Sequence, residues 1–223
     1  HIHLSETEWE VRESIKSHGQ RPVRYLYDID FLDSFIIAAH CVWLDEDEIE
    51  LMAEKGASVS HCIESNLKLA SGIAPVPSMI KKGVKVTTGT DGAASNNDLD
   101  VLSEVSVAAR LHKAMVSDPT AVDTRTALLM ATRWAAEATG LGDITGSIEK
   151  GKSADLLIVN LNRPHLIPLY DIYSHIVYAM KSSDIDTVMI NGRIILNERK
   201  LCSGDEKEIL QKARLWQQKI KGS

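Results

Sequence analysis

The side chains best suited to chemistry in this sequence are imidazoles and carboxylates: His3, Glu6, His40, His61 and Asp91. His3-Leu4-Ser5-Glu6 sets an imidazole three residues before a carboxylate. A metal-bound imidazole beside a carboxylate that does not bind the metal suits hydrolysis, because the metal lowers the pKa of a bound water and the carboxylate carries protons between that water and a substrate. Taken alone, the same spacing also describes a surface histidine followed by a helix-capping glutamate. Asp91 has a glycine two residues before it and another just after, which lets it approach a cation closely; the alternative is a turn or N-cap aspartate. His40 ends the most hydrophobic run of the chain, where the alternative is a buried histidine bonded to backbone, and His61 presents the same choice.

These groups need elements to position them. The apolar stretch Ile2 to Leu4 precedes an acidic amphipathic run, Glu6 to Ser17, that stops at Gly19, which predicts a strand tip feeding a helix. The pattern recurs: Phe35 to Ala39 is a predicted strand, and Asp45 to Lys55 a helix with acids in its first turn and Gly56 just after it. Ala57 to Ser60 is a third strand, Pro75 to Lys82 a third helix closed by Gly83, and Val84 to Thr88 a fourth strand. Strands alternating with helices imply a parallel sheet, either a barrel or an open doubly wound sheet. In a barrel the active site lies at the C-terminal strand ends, and His3, His40, His61 and Asp91 each stand at or just past such an end.

Leu99 to Thr139 is expected to be helical. The grammar then changes. Gly146 to Lys152 is turn-rich, and Ala154 to Leu161 and Thr187 to Leu196 are strand-like, the second broken by the turn pair Asn191-Gly192. Asp205 to Ile220 is a polar terminal helix. Residues 1–145 therefore form the α/β portion, and residues 146–223 a small β-rich subdomain with its terminal helix.

The 223 residues, 44% hydrophobic, suffice for a sizeable core. The net charge of −6 comes from acids scattered along the chain, so there is no basic face to displace counterions and no nucleic-acid partner is expected. Cys41, Cys62 and Cys202 are an odd number without Cys-x-x-Cys spacing, which excludes a disulfide framework and a thiolate zinc site. No run approaches the roughly 18 apolar residues of a membrane span, and the first residues lack the pattern of a signal peptide. The expected location is the cytoplasm, with no membrane partner.

Four segments carry a resemblance: Ile2-His3-Leu4-Ser5-Glu6-Thr7; Ala39-His40-Cys41-Val42; Ser60-His61 with the run Ser65-Asn66-Leu67-Lys68-Leu69-Ala70-Ser71-Gly72-Ile73-Ala74; and Gly89-Thr90-Asp91-Gly92-Ala93-Ala94-Ser95-Asn96-Asn97. Together they resemble the amidohydrolase superfamily, most closely its methylthioadenosine/S-adenosylhomocysteine deaminase branch, which is similar to the triazine hydrolases. The resemblance continues through Gly146 to Val159 and Val188 to Leu196, so it covers nearly the whole chain.

In that family one zinc or iron is held by a His-x-His pair on the first barrel strand, a histidine on the fifth and an aspartate on the eighth. The resemblance implies that His3 is the fifth-strand metal ligand, Glu6 the proton shuttle, His40 the sixth-strand histidine that positions the attacking hydroxide, and Asp91 the eighth-strand ligand and base. His61 corresponds to a family histidine near the seventh strand and takes no firm role. Where the family has Asn-Pro after that histidine, this chain has Cys62-Ile63. His1-Ile2-His3 is itself a His-x-His, but only 88 positions separate His3 from Asp91. Seven βα units of about 30 residues would need about 200. Three units fit, so the resemblance implies the C-terminal half of a TIM-type (β/α)8 metal-dependent hydrolase barrel plus the β-rich subdomain. Residues 1–145 would carry barrel strands five to eight, and strands one to four would be supplied in cis or in trans.

The implied activity is metal-dependent hydrolytic deamination of an adenine-type nucleoside, with zinc, or else iron, as the single divalent ion and a nucleoside or heterocyclic amine as substrate. The alternatives are hydrolysis of an s-triazine amine or chloride, and a non-catalytic half-barrel that only pairs with another chain. Open strand edges lead us to expect a homo-oligomer.

Overall fold

The computed structural model describes residues 1–33 and 35–221. Its first half runs β1 (Ile2–Leu4), α1 (Glu8–His18), α2 (Pro22–Asp28), β2 (Ile37–His40), α3 (Glu46–Glu54), β3 (Ser58–His61), α4 (Ile63–Lys68), α5 (Val76–Lys81) and β4 (Lys85–Thr88). The four strands pair in sequence order, all parallel. Parallel neighbours need a crossover, and the helices provide one between each pair.

Register decides which side chains share a face. His3, Ala39, Ser60 and Thr87 stand side by side across the sheet, and Ala38, Val59 and Val86 form the row on its other side. The second row, with Leu4, belongs to the hydrophobic core with Val23, Ile49, Met52, Met79 and Val105 from the helices. Helices thus cover one face and the histidine row lines the other.

Local chemistry sets the helix ends. Thr7 caps α1 by accepting from the Glu10 N–H at 3.2 Å, and Asp45 and Glu48 form a reciprocal capping box on α3. The expected strands and helices lie within about two residues of the observed ones in this half, but α2 and α4 were not expected. Helix α2 has no side-chain cap of its own. The buried Glu48 docks it instead, accepting from the Val23 N–H at 3.1 Å and the Arg21 Nε at 2.9 Å, partners with no local spacing signal.

The expected helical stretch from Leu99 to Thr139 is three helices: α6 (Val101–Val116), α7 (Thr124–Ala131) and α8 (Arg133–Ala138). The break is chemical. Ser117 closes α6 in the left-handed region at φ 53, Pro119 has no N–H to continue a helix, and Asp123 caps α7 by accepting from Thr126. An antiparallel sheet follows, β5 (Leu156–Val159), β6 (Ile185–Ile190), β7 (Arg193–Asn197) and β8 (Lys200–Leu201), paired in that order. Asn191 at φ 48 and Gly192 at φ 75 place both central residues of the β6–β7 turn in the left-handed region, as a two-residue type I′ hairpin requires. Between β5 and β6 lies the short α9 (Ile172–Ser174), which runs into a π-type turn at His175–Ala179; the chain's last element is α10 (Glu206–Lys221). Among the described residues no helix is long and apolar enough to cross a membrane.

Candidate metal centre

Three strand ends build the site. After β1 the chain turns at Ser5, whose φ is 50 and whose carbonyl accepts the N–H groups of Val42 (3.0 Å) and Trp43 (2.9 Å) beyond β2. The Glu10 carboxylate reaches back from α1 to accept the N–H groups of Ser5 at 2.7 Å and Glu6 at 2.8 Å. This clamp aims Glu6. Its Oε1 accepts from the Ser71 hydroxyl at 3.1 Å, while its Oε2 lies 3.8 Å from the His40 Nε2. Trp43 holds Ser71 in turn, donating Nε1–H to its carbonyl at 2.7 Å.

His40 is buried, and its backbone is left-handed at φ 71. Strict alternation along β2 would put its ring on the helix side with Ala38. Instead the ring meets that of His3 edge-on, centroids 4.9 Å apart, on the lined face. Its Nδ1 donates to Asn66 Oδ1 at 2.8 Å, which fixes the tautomer and leaves a lone pair on Nε2. That Nε2 is a buried polar atom without a hydrogen-bond partner among the described residues.

Asp91 follows β4 at φ 62 and accepts from the Ser65 hydroxyl at 2.8 Å. Burial pushes its pKa up, but hydrogen bonds from Ser65, the Gly92 N–H and Ser95 outweigh burial and hold the carboxyl below its ordinary value. It is an anion at neutral pH. Gly89, two residues before it, packs closely on β3: a Cβ there would come within 2.4 Å of the Ser60 hydroxyl, which would have to turn away.

His3, His40 and Asp91 each offer a ligand atom, and these atoms lie within 4.8 Å of one another. Two imidazoles and a carboxylate are a donor set that zinc and similar divalent ions accept, and the buried lone pair of His40 Nε2, which no described residue engages, can accept a hydrogen bond from a group held beside them. The structure therefore brings together His3, Glu6, His40 and Asp91. It leaves out His61, which keeps to the helix side of β3, fully buried, its Nε2 3.0 Å from the His112 Nε2 of α6. Burial and then His112 hold the His61 pKa well below its usual value, so it is a neutral packing group. His1 is exposed, its ring 6.0 Å from that of His3.

Sequence reasoning missed the supporting residues Ser65, Asn66, Ser71 and Trp43. The segment holding the first three carried the family resemblance, but their roles depend on contacts 26 to 65 positions away. Four non-glycine residues at the ends of β1, β2 and β4 are left-handed (Ser5, His40, Cys41 and Asp91), a clustering typical of functional sites.

The model of the Amidohydrolase family matches residues 1–195. The chain belongs to the amidohydrolase family. A 5-methylthioadenosine/S-adenosylhomocysteine deaminase of Thermodesulfovibrio yellowstonii is 56% identical over 223 residues, which are all of this chain and 51% of that protein. A 5'-deoxyadenosine deaminase of Methanosarcina barkeri is 45% identical over 214 residues, 96% of this amidohydrolase chain and 49% of that protein. Among solved structures, an adenosine deaminase from Xanthomonas campestris with bound zinc superposes with a TM-score of 0.96 at 43% identity, over 99% of this chain and 50% of that one. Atrazine chlorohydrolase from Arthrobacter aurescens, complexed with zinc, gives a TM-score of 0.87 at 26% identity, over 96% and 47%. The chain spans about half the length of the curated relatives it matches. These findings bear out the resemblance to the deaminase branch and the α/β fold class, a barrel-type parallel sheet followed by a separate antiparallel one.

Proposed function

We propose that the protein is a divalent-metal-dependent aminohydrolase that replaces the C6 amino group of an adenine nucleoside, of the 5'-methylthioadenosine/S-adenosylhomocysteine class, with oxygen and releases ammonia. One observation carries this reading. A carboxylate, Glu6 Oε2, faces the free lone pair of His40 Nε2 across 3.8 Å, beside His3 and Asp91. That gap is too long for a direct hydrogen bond and suits one water shared by both groups.

His3 and Asp91 would hold the ion, with zinc favoured by the donor set and by the zinc in two structural neighbours, and iron the alternative. When bound, the ion supplies Lewis acidity that brings the pKa of a coordinated water to about 7. His40 Nε2 accepts a hydrogen bond from the attacking water and so orients it. Glu6 takes a proton at Oε2 and delivers it to the ring nitrogen beside C6 as the water oxygen adds to C6. Ser71 holds the other oxygen, Oε1, so that one face of the carboxylate does the transfer. The C6–N bond then breaks, and the amino group leaves as ammonia with a proton relayed through Glu6 or Asp91.

A catalytic zinc takes three protein ligands, so at least one more would come from outside residues 1–223. Among the described residues strands β1 and β4 each have a neighbour on one side only, and barrel strands supplied in cis or in trans would pair with those edges; the same edges favour self-association. The free thiols of Cys41, Cys62 and Cys202 suit the reducing cytoplasm. The likeness to atrazine chlorohydrolase supports a second reading, displacement of chloride or an amine from an s-triazine. The test is to load the whole gene product with Zn2+ and measure ammonia from 5'-methylthioadenosine, S-adenosylhomocysteine and adenosine, and chloride from a chlorinated s-triazine. Ammonia from an adenine nucleoside is expected; chloride alone would select the second reading, and neither product would overturn both.

A further inference from the structure

Glu104 lies on α6, fully buried, and its hydrogen bonds go to Asn96 and Glu64, outside the four residues of the candidate centre. Among the described residues no lysine or arginine pairs with it, although a buried carboxylate without a cation is costly. Its two oxygens have separate partners. Oε1 accepts from the Asn96 side-chain amide at 2.6 Å, and Oε2 accepts from the backbone N–H of Glu64 at 3.2 Å. Burial drives its pKa up to about 7 against the pull of the Glu64 and Ile63 N–H groups.

Those two partners belong to the two segments that complete the centre. Glu64 is the second residue of α4 and is followed by Ser65, the donor to Asp91, and Asn66, the acceptor from His40. Asn96 closes the loop that begins at Asp91: its N–H returns to the Gly92 carbonyl, and its Oδ1 accepts the N–H groups of Asp98 (3.2 Å) and Leu99 (2.9 Å). With both Oδ1 interactions fixed, only Nδ2 can face Glu104. Lys68, at the far end of α4, grips the same loop through the Ala94 carbonyl and Asn97.

We propose that Glu104 is a positioning residue for the metal centre, setting the distance between α4 and the Asp91 loop by accepting one hydrogen bond from each. It rests on the metal-binding reading above. Donors converge on both of its oxygens, so the position requires two acceptors, which the ionised carboxylate has and a carboxamide of the same shape lacks. A direct hydrogen-bond partner of a metal ligand is worth about 10-fold to 100-fold in metal affinity; Glu104 acts one step further out, through Asn96 and α4, so the low end of that range, about tenfold, is expected.

The experiment measures the Zn2+ dissociation constant of the whole gene product by chelator competition, with circular dichroism and Tm alongside. E104Q puts an NH2 group against one of the two donors and should weaken Zn2+ binding by about tenfold while the fold is kept. N96D combined with E104Q restores the match: the new carboxamide donates to the new carboxylate and its oxygen accepts from Glu64, so affinity should return to within a few-fold of the parent. Unchanged affinity in E104Q overturns the proposal. So does a weakened E104Q that N96D does not rescue, and so does loss of fold in E104Q, which would make Glu104 a general packing residue. A parent protein that binds no Zn2+ defeats the metal reading itself and this inference with it, an outcome distinct from the other three.

Discussion

In the parallel sheet β1–β4, helices seal one face over apolar side chains while buried polar groups, His40, Asn66 and Ser71 among them, gather where the strands end. In the antiparallel sheet β5–β8 the large apolar residues Leu157, Ile158, Ile190 and Ile194 are 47% to 60% exposed, and no comparable cluster forms among the described residues. In the second sheet β6, β7 and β8 are joined locally, by a tight hairpin and a short turn, and only β5 pairs over a long stretch of sequence, Leu156 with Met189. The first depends on partners far apart in sequence. Chemistry requires groups that no local rule brings together, so the site stands in the sheet whose strands are separated by helices.

If the two regions are independent in this way, damage to each should read out differently. The largest effect is expected from Asp91→Ala, which removes a ligand: Zn2+ content should fall from stoichiometric to near zero and turnover should vanish, by metal analysis and ammonia release. A variant that keeps stoichiometric metal would reduce Asp91 to a turn residue and erase the contrast. Next, Glu6→Gln should keep metal and fold but slow turnover at least about a hundredfold, the usual scale of general acid–base catalysis. Activity within a few-fold of the parent would take Glu6 out of the mechanism.

The smallest effect is a pH dependence that belongs to the segment leading into the second sheet. Asp184, buried before β6, accepts from the Lys181 N–H at 2.9 Å and pairs with His165 Nε2 at 2.8 Å. Burial opposes its ionisation, but the bonds from His165 and Lys181 prevail and hold its pKa below the usual carboxylate value. With the folded pKa below the unfolded one, the unfolded chain binds more protons as the pH falls. The stabilisation is complete above the ordinary aspartate range, about 4, and is lost as the pH drops through the folded value. Melting temperatures between about pH 7 and pH 3 should therefore fall more steeply for the parent than for Asp184→Asn, with Zn2+ content at pH 7 the same in both. Loss of metal in Asp184→Asn would show that the two regions are coupled.

Much of the first region was legible in the sequence. Acids before a helix, a glycine after it and a short apolar run between mark β1 through β4 because each signal is local. The miss came where a distant group decides: α2 is docked by Glu48, while the helical stretch expected from Leu99 to Thr139 is helical but divided into three, first around Pro119. His61 ends a strand as His40 does, yet it follows the alternation of its strand to the helix face, while His40 departs from it through a left-handed backbone that its residue type does not announce. Ser71 and Glu104 were invisible as site residues because their partners lie 65 and 40 positions away.

The left-handed residues at positions 5, 40, 41 and 91 also bear on how such a chain diversifies. Serine, histidine, cysteine and aspartate tolerate that region at some cost, whereas valine, isoleucine and threonine are genuine outliers there. The course of the backbone at these strand ends is thus closed to a whole class of substitutions. Variation near these strand ends is left to side chains beside them, such as Trp43, which is anchored by its indole N–H with part of its surface open. A fixed backbone with replaceable side chains around it would let one arrangement of polar groups be shared by relatives that differ in the molecules they admit.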